Sequence, residues 1–142
     1  MLDTLYAQFG AIIIVLVCGF AVWQGDEPER VGASAYFIAW AAALLVQDDA
    51  NLQSVQWPII AIDSLVLCVF AALTWKARRP WAIWAAALQL IGVCAHIATI
   101  FDMNVRMVAY YTALAIVGYG VLISLTVGTF WAWQERRVRN MP

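Results

Sequence analysis

Residues 57–101 read WPIIAIDSLVLCVFAALTWKARRPWAIWAAALQLIGVCAHIATIF. Two apolar runs, 57–75 and 81–101, flank the short basic link KARRP. Each run matches the roughly 20 apolar residues that carry an α-helix across a bilayer. Neither alternates in polarity with a period of two, so strands of a membrane barrel are excluded. Pro80 suits the first turn of a helix and not its interior, which sets a boundary between the runs. The stretch therefore reads as two transmembrane helices joined by a tight turn.

The same reading extends outward to 4–23, 27–47 and 107–133, giving five expected spans in one all-α membrane domain covering residues 1–142. The second run is apolar only over VGASAYFIAWAAALLV, but its start extends backward. Asp26-Glu27-Pro28-Glu29 reads as an N-cap, a proline in the first turn and a carboxylate at the third helical position. A helix over 27–47 would be about 31 Å long, enough to span with Arg30 snorkelling outward. If this segment instead lay in the interface, four spans would remain. The links between the runs are too short to hide a soluble domain.

Composition agrees. The chain of 142 residues is 65% hydrophobic and 12% charged, with a mean hydropathy of +0.80. Soluble domains carry about 25% charged residues. A body this small cannot bury such an apolar excess. A soluble enzyme, a disordered chain and a disulfide-stapled secreted domain are excluded. The net charge of −1 gives no basic field for nucleic acid. Cys18, Cys68 and Cys94 stand in separate runs with no C-x-x-C pair, so no metal site is expected. All three read as small buried residues. The first run lacks a basic leader, with Asp3 the sole charge before it, and reads as a retained helix rather than a cleaved signal.

The basic residues orient the bundle. Lys76, Arg78 and Arg79 lie between the third and fourth runs, and Arg136, Arg137 and Arg139 follow the fifth. Both clusters fall on one side, together with Arg30. The positive-inside rule makes that side cytoplasmic and the topology N-out, C-in. Arg106, Asp48 and Asp49 fall outside. These six clustered cations read as topology anchors, and the tail QERRVRNMP as a contact for lipid phosphates. Trp23, Trp57, Trp75, Trp81, Trp131 and Trp133 lie at run ends, the headgroup level that indoles favour. Trp40 and Trp84 lie deeper, which suggests protein contact for their N–H groups.

Helices in lipid associate through close backbone approach. Ala35, Ala39 and Ala43 give one small-residue face, and Gly120, Ser124 and Gly128 another. Gly92, Ala95 and Thr99 form a third on the fourth run. The third run is bulkier and is expected to face lipid on most sides except at Asp63. The odd number of runs argues against an inverted duplication, and no internal repeat is evident.

Asp63 is the acidic residue left inside a run, and the chain has one histidine, His96. Charges within a span are costly and mark a candidate site. Asp63 lies about 9 Å and His96 about 8 Å below the same surface, on helices expected to be antiparallel neighbours. Tyr110, Tyr111 and Thr112 enter that layer from the fifth run. Ser64 and Gln89 are nearby. The cluster reads as a proton- or ligand-binding site, or as a polar clamp that fixes helix register. Gly92, one turn before His96, leaves room for a flat pigment or haem, although a bis-histidine haem would need a second chain.

No nucleophile elbow, H-E-x-x-H pair or phosphate-cradling loop is present, so no catalytic residue is expected. Two functions follow as expectations. The first is a non-enzymatic accessory or assembly subunit of a larger bacterial inner-membrane complex, without cofactor, whose partners are lipid and other membrane subunits or copies of itself. The second is a small oligomeric carrier or channel using an outer-leaflet Asp63–His96 layer.

Overall fold

The computed structural model describes residues 5–46, 56–101 and 107–139. They form α1 (Leu5–Gln24), α2 (Glu27–Val46), α3 (Trp57–Ala77), α4 (Pro80–Phe101) and α5 (Met107–Arg139), with no strand among them. All five are long and apolar enough to cross a membrane, α2 included. Asp3, Asp48, Asp49 and Arg106, as well as the expected helix ends at residues 4 and 47, lie outside the described residues.

Each helix packs on the next, and α5 returns to pack on α1 while also touching α2. The result is a closed ring. Consecutive helices run antiparallel, so α1 and α5 are parallel neighbours. One end of the ring gathers the α1–α2 and α3–α4 turns with the C-terminus of α5; we call it the basic end. The α3–α4 turn is short because Arg78 takes a left-handed conformation at φ 52°, allowing Pro80 to begin α4 at once. At the start of α2 the Asp26 N–H donates to Glu29 Oε2 at 3.0 Å, one half of a capping box.

The core is built from Val66, Phe70 and Leu73 of α3, Trp81, Ala82 and Ala85 of α4, and Val121, Leu122 and Leu125 of α5, with Cys18, Ala21 and Ala33 from α1 and α2. Trp81 is its wedge. A Cβ on Gly128 of α5 would lie 2.3 Å from the indole, and one on Gly32 of α2 would lie 2.8 Å away. Trp81 meets Phe70 edge to face at 6.3 Å, and its N–H donates to Glu29 Oε1 at 2.7 Å. The small face of α5 thus receives α4: Gly120 faces Leu88, and Gly128 faces Trp81. Ser124, between them, donates to its own helix at Gly120 O. Ala35, Ala39 and Ala43 are half-buried, with Ala39 against the core.

Several expectations are corrected. Trp81 is buried in the core rather than standing in the headgroup layer, because Glu29 supplies the acceptor its N–H needs. Trp84 is 67% exposed instead of packed in protein, whereas Trp40 is half-buried against Phe37. The buried stripe of α4 runs through residues 81, 85, 89, 92 and 96, which leaves Trp84 on its flank. Cys18 is buried, but Cys68 and Cys94 are exposed. Lipid is as apolar as the core, so a thiol gains little by turning inward. α5 continues past the expected end at residue 133 to Arg139, in residues that include good helix formers and neither glycine nor proline.

Candidate functional site

Toward the opposite end of the ring, three helices contribute four polar side chains to a single hydrogen-bonded network. The short α3–α4 turn fixes the two helices antiparallel and brings Asp63 level with His96. Asp63 Oδ2 lies 2.7 Å from His96 Nε2. The other ring nitrogen, Nδ1, lies 2.6 Å from the hydroxyl of Tyr110 in the first turn of α5. The tyrosine and imidazole rings meet edge to face at 5.6 Å. Gln89 sits two turns below His96 on the same buried stripe. Its amide donates to Asp63 Oδ1 at 3.1 Å and to the Asp63 carbonyl at 3.4 Å.

Exposure is graded along the chain. The His96 side chain is 6% exposed, and that of Asp63 is 27% exposed. The imidazole is enclosed by its partners, and the Asp63 side chain is only partly covered. Tyr111 joins through the ring of Tyr110, edge to face at 5.2 Å, and is itself exposed. Ser64 and Thr112 donate to carbonyls of their own helices, at Ile60 and Val108. Thr99 donates to the His96 carbonyl and so braces the backbone of the site.

The chemistry follows from the donors and acceptors. With Asp63 ionised, it accepts from Gln89 and from His96 Nε2–H. Nδ1 then has two options. In the neutral ring it accepts the Tyr110 O–H. In the imidazolium it donates to the Tyr110 oxygen. Both states use the same heavy-atom positions, so a proton can be gained by turning one hydroxyl hydrogen.

The site does not fit a macrocycle. Both nitrogens of His96 are engaged, and Val117 of α5 lies 3.3 Å from where a Cβ on Gly92 would stand. Among the described residues no three His, Cys, Asp or Glu gather as metal ligands.

A second polar cluster, at the basic end, was not foreseen. Asp26 accepts from two arginines: Arg136 at 2.8 Å on Oδ1 and Arg79 at 3.1 Å on Oδ2. Arg79 also donates to Glu135 at 3.0 Å. Arg136 reaches the carbonyls of Gln24 and Gly25, and Arg30 Nε donates to Gly25 O at 3.0 Å. Burial works against the charge of Arg79, but the Glu135 hydrogen bond and the fields of Glu29, Glu135 and Asp26 outweigh it and raise its pKa. Glu29 is fully buried, with one oxygen on the Asp26 N–H and the other on Trp81. Of the expected anchors, Arg79 and Arg136 therefore turn inward. Lys76, Arg78, Arg137 and Arg139 remain exposed, Arg137 lying 4.2 Å over the Trp133 ring. The capping signature of Asp26 and Glu29 was visible in the sequence, but partners more than fifty residues away were not.

No protein family, curated protein or solved structure matches this chain.

Proposed function

We propose that this chain is a small non-enzymatic integral membrane protein of a bacterial inner membrane that takes up and releases a proton at Asp63–His96–Tyr110. The observation that carries the reading is the unbroken hydrogen-bonded chain from a partly exposed carboxylate through an enclosed imidazole to a phenol. A clamp that only held helix register would need no group able to change protonation without moving its neighbours. The basic end faces the cytoplasm in this reading, which puts the proton site in the outer half of the bilayer. A tight five-helix ring leaves little room for a solute path, so a carrier or channel would work as an oligomer.

The single histidine makes the test direct. Nitrogen-15 NMR of histidine-labelled protein in nanodiscs reports the tautomer and charge of His96 alone. The expected neutral state carries its proton on Nε2, and acidification converts it to the imidazolium in the folded protein. Asp63→Asn and Tyr110→Phe each change that transition. A His96 that stays neutral until the protein unfolds would overturn the proposal.

The second reading is an accessory or assembly subunit. It is favoured by α1, which among the described residues buries Cys18 and Ala21 in the core, packs Ile14 and Val17 against it, and presents Phe9, Ile12, Val15 and Leu16 outward. A partner helix could cover that face as readily as lipid. Purification in mild detergent separates the readings, since a chain that emerges alone as a defined oligomer removes the accessory subunit.

A further inference from the structure

At the basic end seven cations stand against four carboxylates: Arg30, Lys76, Arg78, Arg79, Arg136, Arg137 and Arg139 against Asp26, Glu27, Glu29 and Glu135. The structure sorts these cations into two groups. Arg30, Arg79 and Arg136 are spent on the α1–α2 turn and on Glu135. Lys76, Arg78, Arg137 and Arg139 are exposed, and no ion pair ties them to a carboxylate among the described residues.

The exposed group forms a rim rather than a scatter. The Arg79–Glu135 bond ties the α3–α4 turn to the last turns of α5. Arg78 adjoins one end of that bond, and Arg139 stands one helical turn beyond the other. Arg137 Cζ lies 4.2 Å over the Trp133 ring, and the residue is exposed. Trp75 is 89% exposed beside Lys76, and Trp131 is 51% exposed on α5. Indoles at this level favour the headgroup layer, and guanidinium groups donate in pairs to phosphate oxygens.

We propose that the rim of Lys76, Arg78, Arg137 and Arg139, flanked by Trp75 and Trp131, binds the headgroups of anionic phospholipid, and that Asp26 withdraws Arg79 and Arg136 from this role. The proposal uses no residue of the proton site and stands apart from that reading. Two groups of cations, close together and chemically alike, then have separable effects.

The test uses the full chain in detergent micelles doped with phosphatidylglycerol and phosphatidylcholine of matched acyl chains. Retained lipid is counted by native mass spectrometry, and folding is followed by thermal melting. The wild type is expected to retain phosphatidylglycerol preferentially. The combined variant Lys76→Gln, Arg78→Gln, Arg137→Gln, Arg139→Gln should lose that preference by about tenfold or more, with little change in melting. Each half of it, Lys76→Gln with Arg78→Gln or Arg137→Gln with Arg139→Gln, should lose part, which keeps the test open if the fourfold variant misfolds. Arg79→Gln and Arg136→Gln should melt earlier and keep the preference. Unchanged lipid retention in the rim variants would overturn the proposal, as would equal loss in Arg79→Gln and Arg136→Gln.

Discussion

Gly128 decides how deeply Trp81 enters the ring. The indole fills the space a side chain would need there, with the nearest ring atoms 2.3 Å from the Cβ position. An alanine would have to push the ring outward, away from Phe70 and from the Glu29 carboxylate that accepts its N–H. Overpacking of this kind costs about 1–3 kcal/mol. Gly128→Ala should therefore lower the melting temperature in detergent clearly. Gly19→Ala supplies the control, because nothing lies within 4 Å of its Cβ position. Helix propensity alone then acts, and the melting temperature should hold or rise slightly. Equal melting of the two variants would mean that the Trp81 wedge does not bear on stability.

The same contrast operates on whole helices. In lipid both faces of a helix are apolar, so the periodicity that separates inside from outside in a soluble protein is faint. That is why the five spans could be read from run length, whereas the inward face of α4 could not: Trp81 and Trp84 look alike in sequence and differ completely in burial. The shared depth of Asp63 and His96 was legible for a different reason, since a tight turn between two helices fixes their register. Glu29 and Asp26 were legible only as local capping residues, because their partners arrive from α4, α5 and the α3–α4 turn. The last turns of α5 carry few apolar residues to bury, and Arg136 holds them to the α1–α2 turn instead. A double-mutant cycle of Asp26→Asn with Arg136→Gln should show favourable coupling of up to about 1 kcal/mol, shrinking as salt is added. Asp26→Asn alone should cost more than Arg136→Gln, because it also releases Arg79. Purely additive effects would show that the ion pair contributes nothing.

At the scale of the molecule, an odd number of helices in a closed ring sends the two ends of the described chain to opposite faces, and in the proposed topology the basic residues orient the ring. Seven of the eight Lys and Arg residues belong to the basic end, and Arg106 lies outside the described residues. If each helix inserts before the ring packs, Arg79 and Arg136 are free charges at insertion, although both are paired in the closed ring. Orientation should respond to all the basic residues of these two clusters, while lipid retention responds only to the exposed ones. A fluorescent reporter fused after Arg139 should light up in the cytoplasm, and an alkaline phosphatase fused there should be inactive. Neutralising Arg79 and Arg136 should weaken the orientation bias about as much as neutralising Lys76 and Arg78, because the positive-inside bias counts charges near helix ends and not their later partners. A phosphatase active at that position in the unmodified chain would reverse the topology and move Asp63 and His96 to the cytoplasmic half of the membrane.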